Sequence, residues 1–183
     1  MKRFFDCVVS FFVLIIFIPV MVIISLMIKF DGGAIFFRQI RVGLDGKHFG
    51  IYKFRSMVVN AENIGGHSTK EGDPRITAIG MFIRKTSIDE LPQLINVLIG
   101  DMSLVGPRPN VPVQKEEYTK VQWDKRNSVI PGITGLAQAT LRSTATWQQR
   151  YDLDLEYIRK TSIIYDIKII FMTIRQVLLK GGN

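Results

Sequence analysis

The chain has 183 residues, 47% of them hydrophobic, which suffices for one domain with a real core and is too short for two large ones. Its 24 lysines and arginines against 16 acidic residues give a net charge of +8, pointing to an anionic partner: nucleic acid, a phospholipid surface or a phosphorylated small molecule. A single cysteine, Cys7, inside an apolar run excludes a disulfide framework and a cysteine-rich metal site, and two histidines, His48 and His67, argue against a multi-histidine zinc centre.

The first element is apolar. Between Arg3 and Lys29 only Asp6, Ser10 and Ser25 are strictly polar or charged, and Phe11 to Ile24 is apolar throughout. A straight helix from Phe4 to Ile28, rising about 1.5 Å per residue, covers the roughly 30 Å hydrocarbon core of a bilayer. The run is long for the h-region of a secretory signal, and no small-residue cleavage motif follows it. Pro19 falls mid-segment, where it removes a backbone donor and predicts a kink. Positive charge flanks both ends, Lys2 and Arg3 before, Lys29, Arg38 and Arg41 after, so the positive-inside tendency selects neither. Two forms stand at this point: a re-entrant helix that enters and leaves one leaflet, and a kinked span. The expected division is a membrane-embedded helix over residues 1–29, broken at Pro19, and a membrane-surface domain over residues 30–183.

A β-hairpin follows, with strands Ile35 to Arg41 and Phe49 to Arg55 joined by a turn around Leu44-Asp45-Gly46-Lys47. Residues 60–75 read as a polar loop in which Asp73-Pro74 is a further turn signal.

From Thr86 to Pro109 the sequence TSIDELPQLINVLIGDMSLVGPRP sets two adjacent acids, Asp89 and Glu90, before an apolar helical pattern through Leu94, Ile95 and Leu98 to Gly100. Asp89 reads as the N-cap with Pro92 in the first turn, and Ser87 with Glu90 offers a capping box as the other register. In both, the positive helix end and nearby Arg84 favour ionised carboxylates. An Asp cap with a Glu in the first turn is also ordinary architecture. The segment Gly106-Pro107-Arg108-Pro109 fixes an arginine in a rigid loop, and Lys53, Arg55, Arg84 and Arg108 together can surround the acids with cations, a pattern suited to a diphosphate. Adjacent carboxylates do not suit glycoside hydrolysis, whose two acids face each other across about 5–9.5 Å.

Near the C-terminus Ile163, Ile164, Ile167, Ile170, Phe171, Ile174, Val177 and Leu178 recur at helical spacing. Ser162, Asp166, Thr173, Gln176 and Lys180 lie opposite, with Lys168 and Arg175 at the edge. The stripe fits either a helix packed on the core or one lying in a headgroup layer.

These residues carry a family resemblance. The apolar N-terminus with its mid-segment proline, YKFRSM (52–57), IRKTSIDELPQLINVLIGDMSLVGPRP (83–109) and PGITGLAQ (131–138) resemble the bacterial sugar transferases, specifically the small monotopic phosphoglycosyl transferases. The resemblance covers nearly the whole chain and looks like the family's minimal catalytic unit. It implies an α/β fold, mostly helical around a small β-hairpin element, with interfacial amphipathic helices on the cytosolic face of the bacterial inner membrane. It implies transfer of a sugar-1-phosphate from a UDP-sugar to undecaprenyl phosphate, releasing UMP, as the first membrane step of glycan assembly, of the capsule or exopolysaccharide kind. By carry-over Asp89 is the nucleophile that forms a phosphosugar-aspartyl intermediate, Glu90 assists, and Mg²⁺ bridges Asp89 and the diphosphate. Lys53, Arg55, Arg84 and Arg108 are implied phosphate contacts, and Gln138 and Arg142 candidate nucleotide or sugar contacts. The implied partners are UDP-sugar, undecaprenyl phosphate, membrane lipid and, optionally, a second copy in a homo-oligomer, with no nucleic acid.

The chain departs from the family pattern at Ile18-Pro19, where Ser-Pro is frequent, at Ile130, where arginine is frequent, and over Ala139 to Thr144, where an NGR-like segment is frequent. Asp154 and Tyr157 match a further family segment without an assigned role. The rival readings are a non-catalytic basic membrane-anchored adaptor for anionic lipid or nucleic acid, and a polytopic protein with the C-terminal stripe as second span. No basic run with interleaved aromatics supports the first, and Lys168 and Arg175 make the second costly.

Overall fold

In the computed structural model, which describes residues 1–65, 72–141 and 145–180, the apolar run forms one helix, α1 (Lys2–Phe30). The expected break at Pro19 does not interrupt it: a proline withdraws a single N–H, and the rest of a 29-residue ladder carries the helix past it. The helix is inside-out by the standard of a water-soluble one. Asp6 and Ser10 are buried, whereas Phe4, Phe11, Phe12, Ile16 and Ile23 are exposed. Ile15 through Pro19 are exposed at every position, more than a full turn, so the middle of α1 stands clear of the domain.

Both ends of α1 pack on that domain. Phe5, Val9, Val13 and Leu14 lie against a core containing Leu94, Val105, Leu136, Tyr157 and Ile169. Further on, Val20, Met21, Ile24 and Ile28 close on Phe54 and Ile83. Polar contacts pin the N-terminal end: Arg3 donates to the carbonyls of Val97 and Leu98, Ser103 Oγ donates to Asp6 Oδ2 at 2.8 Å, and Lys2 pairs with Asp166. Asp166 is fully buried and also accepts from Tyr157 Oη at 2.9 Å.

The hairpin forms as expected, shifted by one residue. Strands β1 (Phe36–Val42) and β2 (His48–Phe54) are antiparallel, with Phe36 opposite Phe54 and Val42 opposite His48. Asp45, at φ 54°, makes the tight turn between them, as aspartate tolerates the left-handed region. The segment read as a polar loop contains a short helix, α2 (Ala61–Ile64), entered through Asn60 at φ 62°; residues 66–71 lie outside the described residues. The Asp73-Pro74 turn is present, with Asp73 Oδ1 accepting from the Arg75 N–H at 3.0 Å.

Helix α3 (Ala78–Lys85) starts at Thr77, whose Oγ1 accepts from the Gly80 N–H. A 3₁₀ turn (Ile88–Glu90) leads to α4 (Gln93–Ile99), which ends on Gly100 at φ 102°. Next come β3 (Ser103–Val105), α5 (Lys120–Arg126), β4 (Gly132–Thr134), α6 (Leu136–Thr140), α7 (Trp147–Lys160) and α8 (Ile163–Lys180). The parallel β3–β4 pair, Ser103 opposite Gly132, is absent from the sequence reading, since three-residue strands offer no alternation to detect.

Helix α8 is also inside-out. Asp166 is buried and Thr173 Oγ1 shares a 2.7 Å hydrogen bond with Thr134 Oγ1, while Ile164, Phe171, Ile174 and Leu178 are exposed. Most of the apolar stripe therefore faces away from the core, although Ile170 packs against it beside the fully buried Ile169. Among the described residues α1 alone is long and apolar enough to cross a membrane.

Removing the acceptor shared by Lys2 and Tyr157 leaves a buried hydroxyl and an ammonium group to share the single carbonyl of Val105, with Asp6 a more distant partner of Lys2. Asp166→Ala is expected to lose about 3 kcal/mol of stability, read as a lower Tm in detergent, and a Lys2→Met/Asp166→Leu double variant recovers part of it. An unchanged Tm for Asp166→Ala would show that the network does not hold α1.

Candidate active site

The loop bearing Arg108 is fixed by glycines from two motifs far apart in sequence. A Cβ on Gly106 would lie 2.5 Å from Ile130 O, one on Gly132 2.0 Å from Gly106 N, and one on Gly135 2.3 Å from Gly106 O. Only bare backbone permits this approach. Gly106 N–H donates to Thr134 O at 2.9 Å and Gly132 N–H to Pro107 O at 3.0 Å. Two arginines then hold the next carbonyls. Arg126 Nη2 donates to Arg108 O at 2.7 Å while its Nε donates to Asp154 Oδ2 at 2.8 Å, and Arg41 Nη1 donates to Pro109 O at 3.1 Å.

The opposite wall is set by Asn96 of α4, which is fully buried. Its Oδ1 accepts from the Tyr52 N–H and its Nδ2 donates to Gly50 O, both at 2.9 Å. This clamps α4 to β2 and sets Lys53 against the acid pair. Lys53 Nζ lies 2.7 Å and Arg108 Nη2 2.5 Å from the same oxygen, Glu90 Oε1. Lys53, Arg84, Ser87, Asp89, Glu90 and Arg108 line a solvent-open cleft with about 280 Å³ of empty space.

The structure thus brings together five of the sequence candidates: Asp89, Glu90, Lys53, Arg84 and Arg108. Arg55 is not among them. It is buried, and its Nη2 donates to Ile28 O at the end of α1, because β2 ends at Phe54 and the alternation that would align Arg55 with Lys53 stops there. Gln138, on α6, lies outside the cleft, its amide buried and without a hydrogen-bond partner among the described residues, and Arg142 lies outside the described residues. Of the departures from the family pattern, Ile130 meets Gly106 through its backbone carbonyl, and Ala139 belongs to the core. Asp154 and Tyr157 are structural, the first as partner of Arg126, the second as donor to Val105 O and Asp166.

Asp89 is not a helix N-cap. It sits in the 3₁₀ turn, the N-cap of α4 is Pro92, and Ser87 makes no side-chain cap bond. With a proline at position 92, which supplies no N–H, the acids occupy a separate turn of their own.

This changes the electrostatics expected of the pair. Burial alone would raise Glu90, but the charges of Arg108 and Lys53 and their hydrogen bonds hold it well below the usual carboxylate range. Asp89, also buried, goes the other way: burial pushes it up, Lys53 opposes this, Glu90's charge adds to it, and the result is about 6. Asp89 accepts no hydrogen bond among the described residues, so it lacks what Glu90 has. Lys53 is lowered by burial, partly offset by Glu90, and Arg108 is raised, first by Glu90.

A cleft of three cations around one engaged and one unengaged carboxylate, on a domain flanked by outward-facing apolar helices, defines a candidate site for phosphoryl chemistry beside a membrane. The chain belongs to the bacterial sugar transferase family, whose sequence profile matches residues 1–180. It is 42% identical over 182 residues to the UDP-glucose:undecaprenyl-phosphate glucose-1-phosphate transferase of Escherichia coli (strain K12), covering 95% of this chain and 39% of that protein. To the galactosyl transferase CpsE of Streptococcus agalactiae serotype III (strain NEM316) it is 47% identical over 193 residues, covering 99% and 43%. To the uncharacterized sugar transferase EpsL of Bacillus subtilis (strain 168) it is 42% identical over 186 residues, covering 100% and 89%. The chain spans about two-fifths of the length of the first two relatives.

Because folding raises Asp89 above its unfolded value near 3.9, the fold penalises the ionised form: the penalty is absent below about pH 4 and complete above about pH 6. Asp89→Asn is therefore expected to be more stable than wild type by about 1–3 kcal/mol at pH 7.5, with the gain vanishing near pH 4. Thermal melts at both pH values test this, and equal Tm at pH 7.5 contradicts it.

Proposed function

We propose that this chain transfers a sugar-1-phosphate from a UDP-sugar to undecaprenyl phosphate, releasing UMP, through a covalent intermediate on Asp89. The observation that carries the reading is the buried, unengaged carboxylate of Asp89 in a cleft with Lys53, Arg84 and Arg108. An Asp89 oxygen attacks the sugar-linked phosphorus, and the P–O bond to UMP breaks with its electron pair leaving on UMP. An oxygen of the polyprenyl phosphate then attacks the same phosphorus and expels the Asp89 carboxylate, leaving the polyprenyl diphosphosugar. Lys53 and Arg108 bind phosphate oxygens and spread the charge that develops on them. Glu90 orients both cations; a carboxylate held so low is a poor proton acceptor.

Magnesium fits the donor set. Among the described residues no cluster of three or more His, Cys, Asp or Glu stands ready for a metal, and Mg²⁺ is commonly held by one or two carboxylates together with substrate phosphates. Asp89 supplies such a carboxylate, whereas Glu90 is committed to Lys53 and Arg108. When bound, the ion neutralises diphosphate charge.

The relatives' names support the reaction class: one is a UDP-glucose:undecaprenyl-phosphate glucose-1-phosphate transferase, another an undecaprenyl-phosphate galactose phosphotransferase. Membrane association follows from α1 together with homologues acting on a lipid carrier. We place the catalytic domain on the cytosolic face of the inner membrane, with α1 entering and leaving one leaflet through a bend at Pro19 within the continuous helix, because both ends of α1 are tied to one domain while its middle is free. The adaptor reading offers no use for a buried acid pair.

Incubation with a panel of UDP-sugars in detergent, without acceptor, is expected to add the mass of a phosphosugar to Asp89; Asp89→Asn shows neither adduct nor UMP release. Product accumulating without any adduct overturns the intermediate. The nucleophile is the deprotonated form, so kcat/KM is expected to fall about tenfold per pH unit below the Asp89 pKa, which is about 6 in the metal-free protein and is lowered when Mg²⁺ binds, and to level off above it. For topology, a tag at the N-terminus and one on the catalytic domain are expected to be equally shielded from an impermeant reagent in intact cells; labelling of the N-terminal tag alone would establish a span.

A further inference from the structure

Ser87 occupies a position where glycine is the usual residue. Helix α3 ends at Lys85, Thr86 is its C-cap in the right-handed region, and Ser87 follows at φ 58° and ψ 16°. This is the C′ position at which helices turn left-handed, most often on Gly, because a Cβ there meets the following carbonyl oxygen. Asparagine and aspartate offset that penalty with local side-chain hydrogen bonds. Ser87 does not. Its backbone is satisfied, the N–H donating to Arg84 O at 3.1 Å and the C=O accepting from the Glu90 N–H at 3.2 Å, but its hydroxyl makes no hydrogen bond among the described residues. The adjacent Thr86 differs: its Oγ1 donates to Phe82 O at 2.9 Å and Ile83 O at 3.2 Å, so it serves the helix. Ser87 instead lines the cleft with Asp89, two residues on, and with Lys53, Arg84 and Arg108.

We propose that Ser87 is a further catalytic residue: its hydroxyl donates a hydrogen bond to a non-bridging oxygen of the phosphorus that Asp89 attacks. The inference rests on the transferase reading above. Charge gathers on those oxygens during transfer, and a hydroxyl on a short side chain, held at the cleft by a constrained backbone and with no other partner among the described residues, is free to turn its O–H toward that charge. The O–H bond stays intact throughout; the only covalent changes are the Asp89 oxygen–phosphorus bond forming and the phosphorus–oxygen bond to UMP breaking.

Two variants separate the hydroxyl from the backbone. Ser87→Ala deletes the hydroxyl and keeps the Cβ, while Ser87→Gly deletes both and removes the left-handed penalty. In UMP-release assays with the full chain in detergent, both are expected to lower kcat by a similar factor of about 10–100, with KM for the UDP-sugar changing by less than about threefold. Only Ser87→Gly is expected to raise Tm. Wild-type kcat in both variants, or loss in Ser87→Gly alone, overturns the proposal while leaving the transferase reading intact. Absence of wild-type UMP release across the UDP-sugar panel is the separate failure of the transferase reading, and this proposal falls with it.

Discussion

One carboxylate oxygen organises the cleft. Glu90 Oε1 receives Lys53 from β2 and Arg108 from the loop after β3, binding three segments that are distant in sequence. Without it, two cations in a largely buried wall would repel each other and seek solvent. With it they are held close, oriented and already stripped of much of their water, a condition in which they interact strongly with an incoming phosphate. The grip also exhausts Glu90 as a base, which leaves the chemistry to its neighbour.

The same architecture depends on a surface turned outside-in. In α1 and α8 the polar residues Asp6, Ser10, Asp166 and Thr173 face the domain together with a narrow apolar seam that includes Val9, Ile24, Ile28 and Ile169, and most of the remaining apolar side chains face away. In water this arrangement would expose large apolar patches. Beside lipid it is the economical one, because the inward polar groups largely find partners in Ser103, Tyr157, Lys2 and Thr134, and the outward faces meet hydrocarbon. Arg55, which the sequence suggests as a phosphate contact, serves this arrangement instead by capping the end of α1 at Ile28 O.

Much of this was legible in the sequence because it rests on local pattern: the apolar run, the hairpin with its Asp-Gly turn, the amphipathic α8, and the charged residues around Asp89 and Glu90. Misreadings arose where tertiary geometry decides. Charge alone groups Lys53 and Arg55 around the acids, but β2 ends at Phe54 and Arg55 turns to Ile28 O of α1. The cap assigned to Asp89 failed because Pro92 begins the helix and a 3₁₀ turn intervenes. The β3–β4 pairing and the Asp154–Arg126–Arg108 relay join residues with no shared periodicity, so only the folded chain displays them. Clearer signals existed for α5 and α7, where Thr119 with Gln122 and Thr146 with Gln149 form capping boxes readable as Thr-x-x-Gln.

The split within the acid pair has a physical origin that adjacency alone does not supply. Two neighbouring carboxylates in one buried pocket cannot both be held cheaply as anions. The cations are distributed unequally: Lys53 and Arg108 make hydrogen bonds to Glu90 and act on Asp89 only through space. Glu90 is therefore fixed as a permanent anion, and Asp89 is left ionised near neutrality yet poorly solvated. A desolvated, unengaged carboxylate loses little by forming a bond to phosphorus, since it has few hydrogen bonds to give up. In the proposed reaction the resting protein thus stores at Asp89, as a raised proton affinity, part of what attack on the diphosphate requires, and it does so because a second acid one residue away has taken the cations.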